Sequence, residues 1–188
     1  GRRKNQEAAI RVVNATLQAC PRRSMPQEWG RCQNLLGALY YERGAGDRVR
    51  NIERAIAALR RGLEVRTRQA DPDGWRTSTI NLALAYSDRV KGRRAANLDR
   101  ALALLDAAAA ASPRGSFNWA KIQTQRAAIL FDQVRGRRSA NLARALQAGR
   151  AAMAVFDPDA APREWSNAVM VTANALSERA HLAGAGAS

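Results

Sequence analysis

The stretch Trp75–Asn97 reads WRTSTINLALAYSDRVKGRRAAN, and its landmarks return along the whole chain. Trp29, Trp75, Trp119 and Trp165 stand 46, 44 and 46 residues apart. A glycine follows each of the first three after 17 positions (Gly46, Gly92, Gly136), and an asparagine follows each glycine after five (Asn51, Asn97, Asn141). Asn5 lies 46 residues before Asn51, so the sequence opens in the second segment of an earlier copy. Length varies only between one asparagine and the next tryptophan, which is where a loop tolerates it. A long fixed period with recurring apolar positions marks stacked repeats.

The first segment of each copy carries a helical stripe. Trp29, Leu36, Gly37 and Tyr40 return as Trp75, Leu82, Ala83 and Tyr86, then as Trp119, Arg126, Ala127 and Leu130, and finally as Trp165, Thr172, Ala173 and Leu176. Offsets of 7, 8 and 11 share one helix face, and the small residue at offset 8 lets a second helix cross closely. The second segment starts near the asparagine: Asn51, Ala55, Leu59 and Leu63 form one line, with Ile52 and Ile56 beside it. The expected fold is all-α, an α-solenoid of antiparallel helical hairpins with a 44–46 residue repeat. Helices are predicted near 4–20, 26–44, 50–69, 73–90, 95–111, 116–134, 139–156 and 162–181, in a single repeat domain over 1–183 with a flexible tail at 184–188. A frame that begins and stops in mid-unit is the expectation for a piece of a longer array.

Composition agrees with helices. Hydrophobic residues make up 46% of the chain but aromatics only 5%, so Ala and Leu supply the core material and strand formers are scarce. The net charge is +15, from 31 basic and 16 acidic residues, and only Lys4, Lys91 and Lys121 are lysines. Such a surface attracts anions at long range. An arginine-rich proteome is the plainer explanation and stays open beside it. Cys20 and Cys32 do not make a disulfide framework or a metal site. No apolar run approaches a membrane span, and no secretory core follows Gly1-Arg2-Arg3-Lys4, so a cytoplasmic location is expected.

The tryptophans are read as packing anchors, each burying roughly 150–250 Å². Acidic residues recur 13 positions after them (Glu42, Asp88, Asp132, Glu178), too far apart to share a substrate atom and better suited to an ion-pair ladder. A row of arginines lies at the turn within each hairpin. Arg2, Arg48, Arg94 and Arg138 precede the asparagines by three, with Arg93, Arg137, Lys91, Arg135 and Arg50 close by. Arg54, Arg100 and Arg144 follow the asparagines by three. Beside the free amides of a helix N-terminus these form a candidate strip for anions or an acidic partner. Solvated arginine over an Ala-rich surface is the competing reading. Asn5, Asn51, Asn97 and Asn141 have two readings as well: helix caps or satisfied turns, or a column of amides clamping a peptide backbone. Gly46, Gly92 and Gly136 suit the left-handed position that closes a helix, and Pro26 and Pro162 suit a first turn. His181 is the single histidine, and Gly44-Ala45-Gly46 lacks a phosphate-loop lysine, so no catalytic residue, metal or cofactor is expected.

Residues Glu28 to Tyr40 and Gly92 to Leu102 resemble the elongated tetratricopeptide-like repeats of bacterial multidomain proteins, of the kind found in CHAT-protease-associated proteins. The resemblance covers nearly the whole chain, although ordinary units of that family have 34 residues, and Arg126 and Thr172 depart from its packing pattern. It implies a right-handed superhelix that holds a peptide or protein, and it carries no protease residue into this chain. The combined expectation is a scaffold for a protein or acidic peptide, with nucleic-acid binding through the arginine strip as the alternative. A small-molecule substrate is not expected.

Overall fold

Asp47 sets the start of the second helix in the first complete hairpin. In the computed structural model, which describes residues 1–185 apart from the side chains of Arg2 and Ala185, its carboxylate accepts hydrogen bonds from the amides of Val49 (2.8 Å) and Arg50 (3.2 Å). Asp71 caps the next first-type helix through the Gly74 amide (2.9 Å), and Ser116 the one after through the Trp119 amide (3.2 Å). A short side-chain oxygen at this position satisfies an amide that the helix leaves free. Pro26 and Pro162 each occupy the first position of their helices, where the missing N–H is no loss.

Eight helices follow among the described residues: α1 (Arg2–Ala19), α2 (Pro26–Tyr41), α3 (Arg48–Leu63), α4 (Pro72–Ser87), α5 (Arg94–Ala110), α6 (Phe117–Asp132), α7 (Arg138–Met153) and α8 (Pro162–Ala185). The fold is all-α, with hairpin-like packing repeated along the chain in the manner of a tetratricopeptide-like solenoid. The first-type helices α2, α4 and α6 end two or three residues before the predicted limits, and α3 and α7 close at Leu63 and Met153 rather than at 69 and 156. The difference lies in the loops, where Glu42 and Asp88 still have helical backbone angles but the chain then turns away. Of the predicted tail 184–188, α8 takes in Gly184 and Ala185, and 186–188 lie outside the described residues.

The chain divides into two compact units, Gly1–Arg93 and Arg94–Ser188. They share one plan. In the first, α2 and α3 form the central hairpin, α1 packs on α2, and α4 packs on α3 and α2. In the second, α6 and α7 form the hairpin, α5 packs on α6, and α8 packs on α7 and α6.

The small residue at offset 8 is what lets the hairpin close. A Cβ placed on Gly37 would stand 2.5 Å from Leu59 Cγ and 3.3 Å from the Ala55 carbonyl, so α3 lies directly on the α2 backbone there. Ala83 and Ala127 occupy the same register and are fully buried. In the first unit Ile52 and Leu59, and in the second Leu98, Leu105, Ile122, Leu130 and Leu142, are almost wholly withdrawn from water. Each such side chain is worth about 1.5–3 kcal/mol relative to exposure, which far exceeds helix propensity as the source of order. Trp119 and Trp165 pack around Ala120, Ala152, Phe156 and Ala168, while Trp29 and Trp75 are half-buried beneath Arg22 and Arg68 at 5.3 and 5.8 Å.

The glycines have a different task from the one expected. Gly46, Gly92 and Gly136 do hold positive φ (75°, 82° and 79°), but they do not close the preceding helices. Those helices end at Tyr41, Ser87 and Asp132, four or five residues earlier. The left-handed step instead turns the chain into the second helix, which begins two residues later.

Candidate functional site: the arginines of the hairpin turns and second helices

Arg48, Arg94 and Arg138 are each the first residue of a second-type helix, α3, α5 and α7. A cation at a helix N-terminus is placed against the helix dipole. Where the contacts are seen, the side chain turns back to better company. Arg48 and Arg138 donate through Nη1 to the carbonyls of Tyr41 and Phe131, at the C-terminal end of the preceding helix, where positive charge is favoured. Their guanidinium carbons also lie 5.1 and 4.9 Å from the ring centres of the same two residues.

The other edge of each guanidinium meets the acidic residue that stands 13 positions after the following tryptophan. Arg48 pairs with Asp88 at 3.0 Å, Arg94 with Asp132 at 3.1 Å, and Arg138 with Glu178 through two bonds of 2.6 and 2.5 Å. The ion-pair ladder expected for these carboxylates is therefore present within each unit at Asp88, Asp132 and Glu178. Arg138 holds the Glu178 carboxyl below the usual range. Tyr41 joins one rung by donating its hydroxyl to Asp88 (3.0 Å), and burial, reinforced by the Asp88 charge, pushes its pKa up to about 12.

A second set of rungs uses the residue directly after Glu42, Asp88 and Asp132, and only its carboxylate partners were not foreseen from the sequence. Arg43 and Arg89 make bidentate pairs with Glu7 (2.7 and 2.9 Å) and Glu53 (2.7 and 3.0 Å). In the next copy Gln133 replaces the arginine and donates to Asp99 at 2.9 Å, while Arg135 supplies the missing charge at 2.7 Å. Glu7, Glu53 and Asp99 each follow their asparagine by two, so the signal was in the period all along. The fourth copy has Ala143 there, with no carboxylate to offer. Hydrogen bonding from Arg43 and Arg89 holds Glu7 and Glu53 below the usual carboxylate range.

The asparagines do not cap their helices; Asn51 and Asn141 instead satisfy a buried turn, the other half of the simpler reading. Asn51, Asn97 and Asn141 lie at the fourth position of their helices, one turn beyond a cap, and all three are buried. Asn51 donates to the Ala45 carbonyl (2.8 Å) and accepts from Arg43 (3.2 Å), and Asn141 donates to the Arg135 carbonyl (2.7 Å). Each of these two is a staple between the turn and the helix after it. Helix α1 begins at Arg2, so Asn5 also falls one turn inside its helix, and there it is exposed.

The remaining candidates divide by surroundings. Arg93 and Arg137 lie exposed in the turns directly after the positive-φ glycines, and Arg137 occupies the cap position of α7 without a capping side chain. Arg54 and Arg144 are exposed on α3 and α7, and Arg54 stacks over the Tyr40 ring at 5.6 Å. Arg100 is exposed at the same register of α5. The side chain of Arg2 lies outside the described residues. The turn row is thus not a bare cationic strip, since Arg48, Arg94 and Arg138 each hold an internal carboxylate.

One further arginine had no repeat to announce it. Arg66, in the loop after α3, is 8% exposed and donates to the Asp71 carboxylate (2.9 Å) and the Ser78 hydroxyl (3.1 Å). Burial raises the Asp71 pKa, but Arg66 and the Gly74 amide outweigh it and the net shift is downward. Among the described residues no group of His, Cys, Asp and Glu could hold a metal ion, and no helix is long and apolar enough to cross a membrane. The chain matches no family model, no curated protein and no solved structure.

Proposed function

We propose that the chain is a protein-binding helical scaffold whose partner presents acidic segments. One observation carries this reading. Once the ladder is removed from the account, an exposed arginine with no carboxylate partner among the described residues remains at the same register of a second-type helix in both units, Arg54 in the first and Arg144 in the second. Repeated hairpins provide a rigid surface of the kind that serves protein interaction, and the paired residues of the ladder stiffen it. The elongated tetratricopeptide-like resemblance points the same way, toward an assembly or sensor arm of a multidomain protein.

A peptide array graded from basic to acidic, probed with the full chain near 0.15 M salt, tests the reading at an ionic strength where weak surface steering is largely screened. Signal that rises with peptide acidity is expected. A flat profile refutes the acidic partner. Tight binding to unrelated duplex DNA under the same conditions, with affinity falling steeply as salt rises, assigns the arginines to phosphate instead.

A further inference from the structure

A groove lies where the first-type helix of a hairpin meets its second-type helix, α2 with α3 in the first unit and α6 with α7 in the second. In the first unit its floor is Leu36, Tyr40 and Ala58, and its rim is Asn14 of α1 with Arg54 and Arg61 of α3; its volume is ≈ 290 Å³. In the second unit Leu130 and Ala148 form the floor, Trp119 closes one end, and Arg114 and Arg144 stand at the rim, around ≈ 280 Å³. The two grooves are the same place in the repeat. Tyr40 and Leu130 both follow their tryptophans by 11, Arg54 and Arg144 follow their asparagines by three, and Ala58 and Ala148 follow them by seven.

Both grooves combine an apolar floor with a rim arginine that has no carboxylate partner among the described residues. Leu36 and Ala58 are 6% and 3% exposed, while Arg54 and Arg61 are exposed on the same helix face. Arg54 is held at the edge by its stack on Tyr40. In the second groove Arg126 is already engaged by Asp106 (2.7 Å) and Gln123 (2.7 Å), which leaves Arg114 and Arg144 to receive a guest. A volume just under 300 Å³ is below that of ordinary small-molecule pockets, and suits one or two side chains of a peptide.

We infer that these grooves receive an acidic side chain and its apolar neighbour from a partner protein, the carboxylate on Arg54 or Arg144 and the alkyl group on the Leu–Ala floor. This rests on the scaffold reading above and names the site within it. Arginine matches a carboxylate bidentately, and the apolar floor rewards a neighbour such as Leu or Val. A nucleic-acid backbone has nothing to place on that floor, and Asp106 interrupts a phosphate track beside the second groove.

The test uses the full chain and a fluorescein-labelled peptide alternating Glu and Leu, read by anisotropy, with a Gln–Leu peptide as the neutral control. Arg54→Glu and Arg144→Glu are each expected to weaken binding about tenfold, the cost of losing one anchoring contact. The double variant should weaken it further. Arg93→Glu with Arg137→Glu makes the same change of charge at the turns and should stay within about threefold of the parent. Arg54→Gln, with circular dichroism of every variant, separates lost binding from lost folding. Equal loss in the groove and turn variants overturns the groove while leaving the scaffold reading intact. Absence of Glu–Leu binding, or equal binding of the Gln–Leu peptide, overturns the groove and the acidic-partner reading together. Displacement of the peptide by duplex DNA, abolished in the groove variants, reassigns the site to phosphate.

Discussion

Replacing Asn51 by alanine distinguishes a structural staple from a binding residue. Asn51 is 1% exposed, its amide donates to the Ala45 carbonyl at 2.8 Å, and its carbonyl accepts from Arg43 at 3.2 Å. Alanine removes both bonds. The donated bond is worth about 1 kcal/mol net, and the Ala45 carbonyl left without it costs a further 1–2 kcal/mol or so. Arg43 keeps its two bonds to Glu7, so its loss is smaller. Alanine returns roughly half a kcal/mol through its helix propensity, which leaves a net loss of about 2 kcal/mol. Urea unfolding should therefore lose about 1 M in midpoint at an ordinary slope. Because the chain has two compact units, hydrogen exchange at the Asn51 amide, which bonds the Asp47 carbonyl at 2.9 Å, assigns the loss to the first unit. Asn5→Ala is the internal control. It has the same register on α1 but is exposed, with no side-chain hydrogen bond among the described residues, and should change stability by less than about 0.5 kcal/mol. A loss at Asn51 as small as that, or an equal loss at Asn5, would refute the staple.

Gly92→Ala should cost about 1–2 kcal/mol in a thermal melt, because φ is 82° there, and Gly92→Asn should cost less. Arg66→Ala should cost about 3 kcal/mol by leaving the Asp71 carboxylate without its buried partner, measured by urea unfolding; Arg66→Ala combined with Asp71→Asn should recover part of it. Acid should weaken the fold progressively. The folded pKa values of Glu53 and Asp71 lie below their unfolded ones, so their contribution is complete above about pH 5 and is lost as pH falls through the folded values. Glu53→Gln should show a shallower decline between pH 5 and 2, roughly, and an unchanged slope would refute the assignment.

The hairpins were legible because a stack imposes one geometry on every copy. Trp29 to Gly46 keeps its length of 17 in each repeat that completes it, and the register of Gly37, where α3 lies on the α2 backbone, is held small as Ala83 and Ala127 in the later copies. The turn arginines were equally visible, but their surroundings were not. A sequence shows that Arg48 and Asp88 each recur, and only the packing of α4 on α3 brings them to 3.0 Å. Of the two simple roles open to the asparagines, the cap failed for a related reason while the satisfied turn was found. Asn, Asp and Ser are all good caps, and the true cap of α3, Asp47, has no equivalent in the next two copies, where Arg93 and Arg137 stand. Arg66 lies in the one stretch that the repeat does not hold constant, so no period could mark it.

The ladder also changes what the net charge of +15 implies. Each internal pair removes one arginine and one carboxylate, so pairing leaves the excess untouched and alters only its position. Arg48, Arg94 and Arg138 give up much of their field at the turn edge, because a carboxylate within about 3 Å cancels the charge at any distance beyond a few ångströms. The excess then lies with arginines that the packing does not recruit, including Arg54 and Arg61 beside Leu36, and Arg144 beside Leu130. A polyanion attracted to the whole surface would be indifferent to that relocation. A partner that reads both a carboxylate and its apolar neighbour would not be, and that difference is why the groove variants, rather than the turn variants, decide between them.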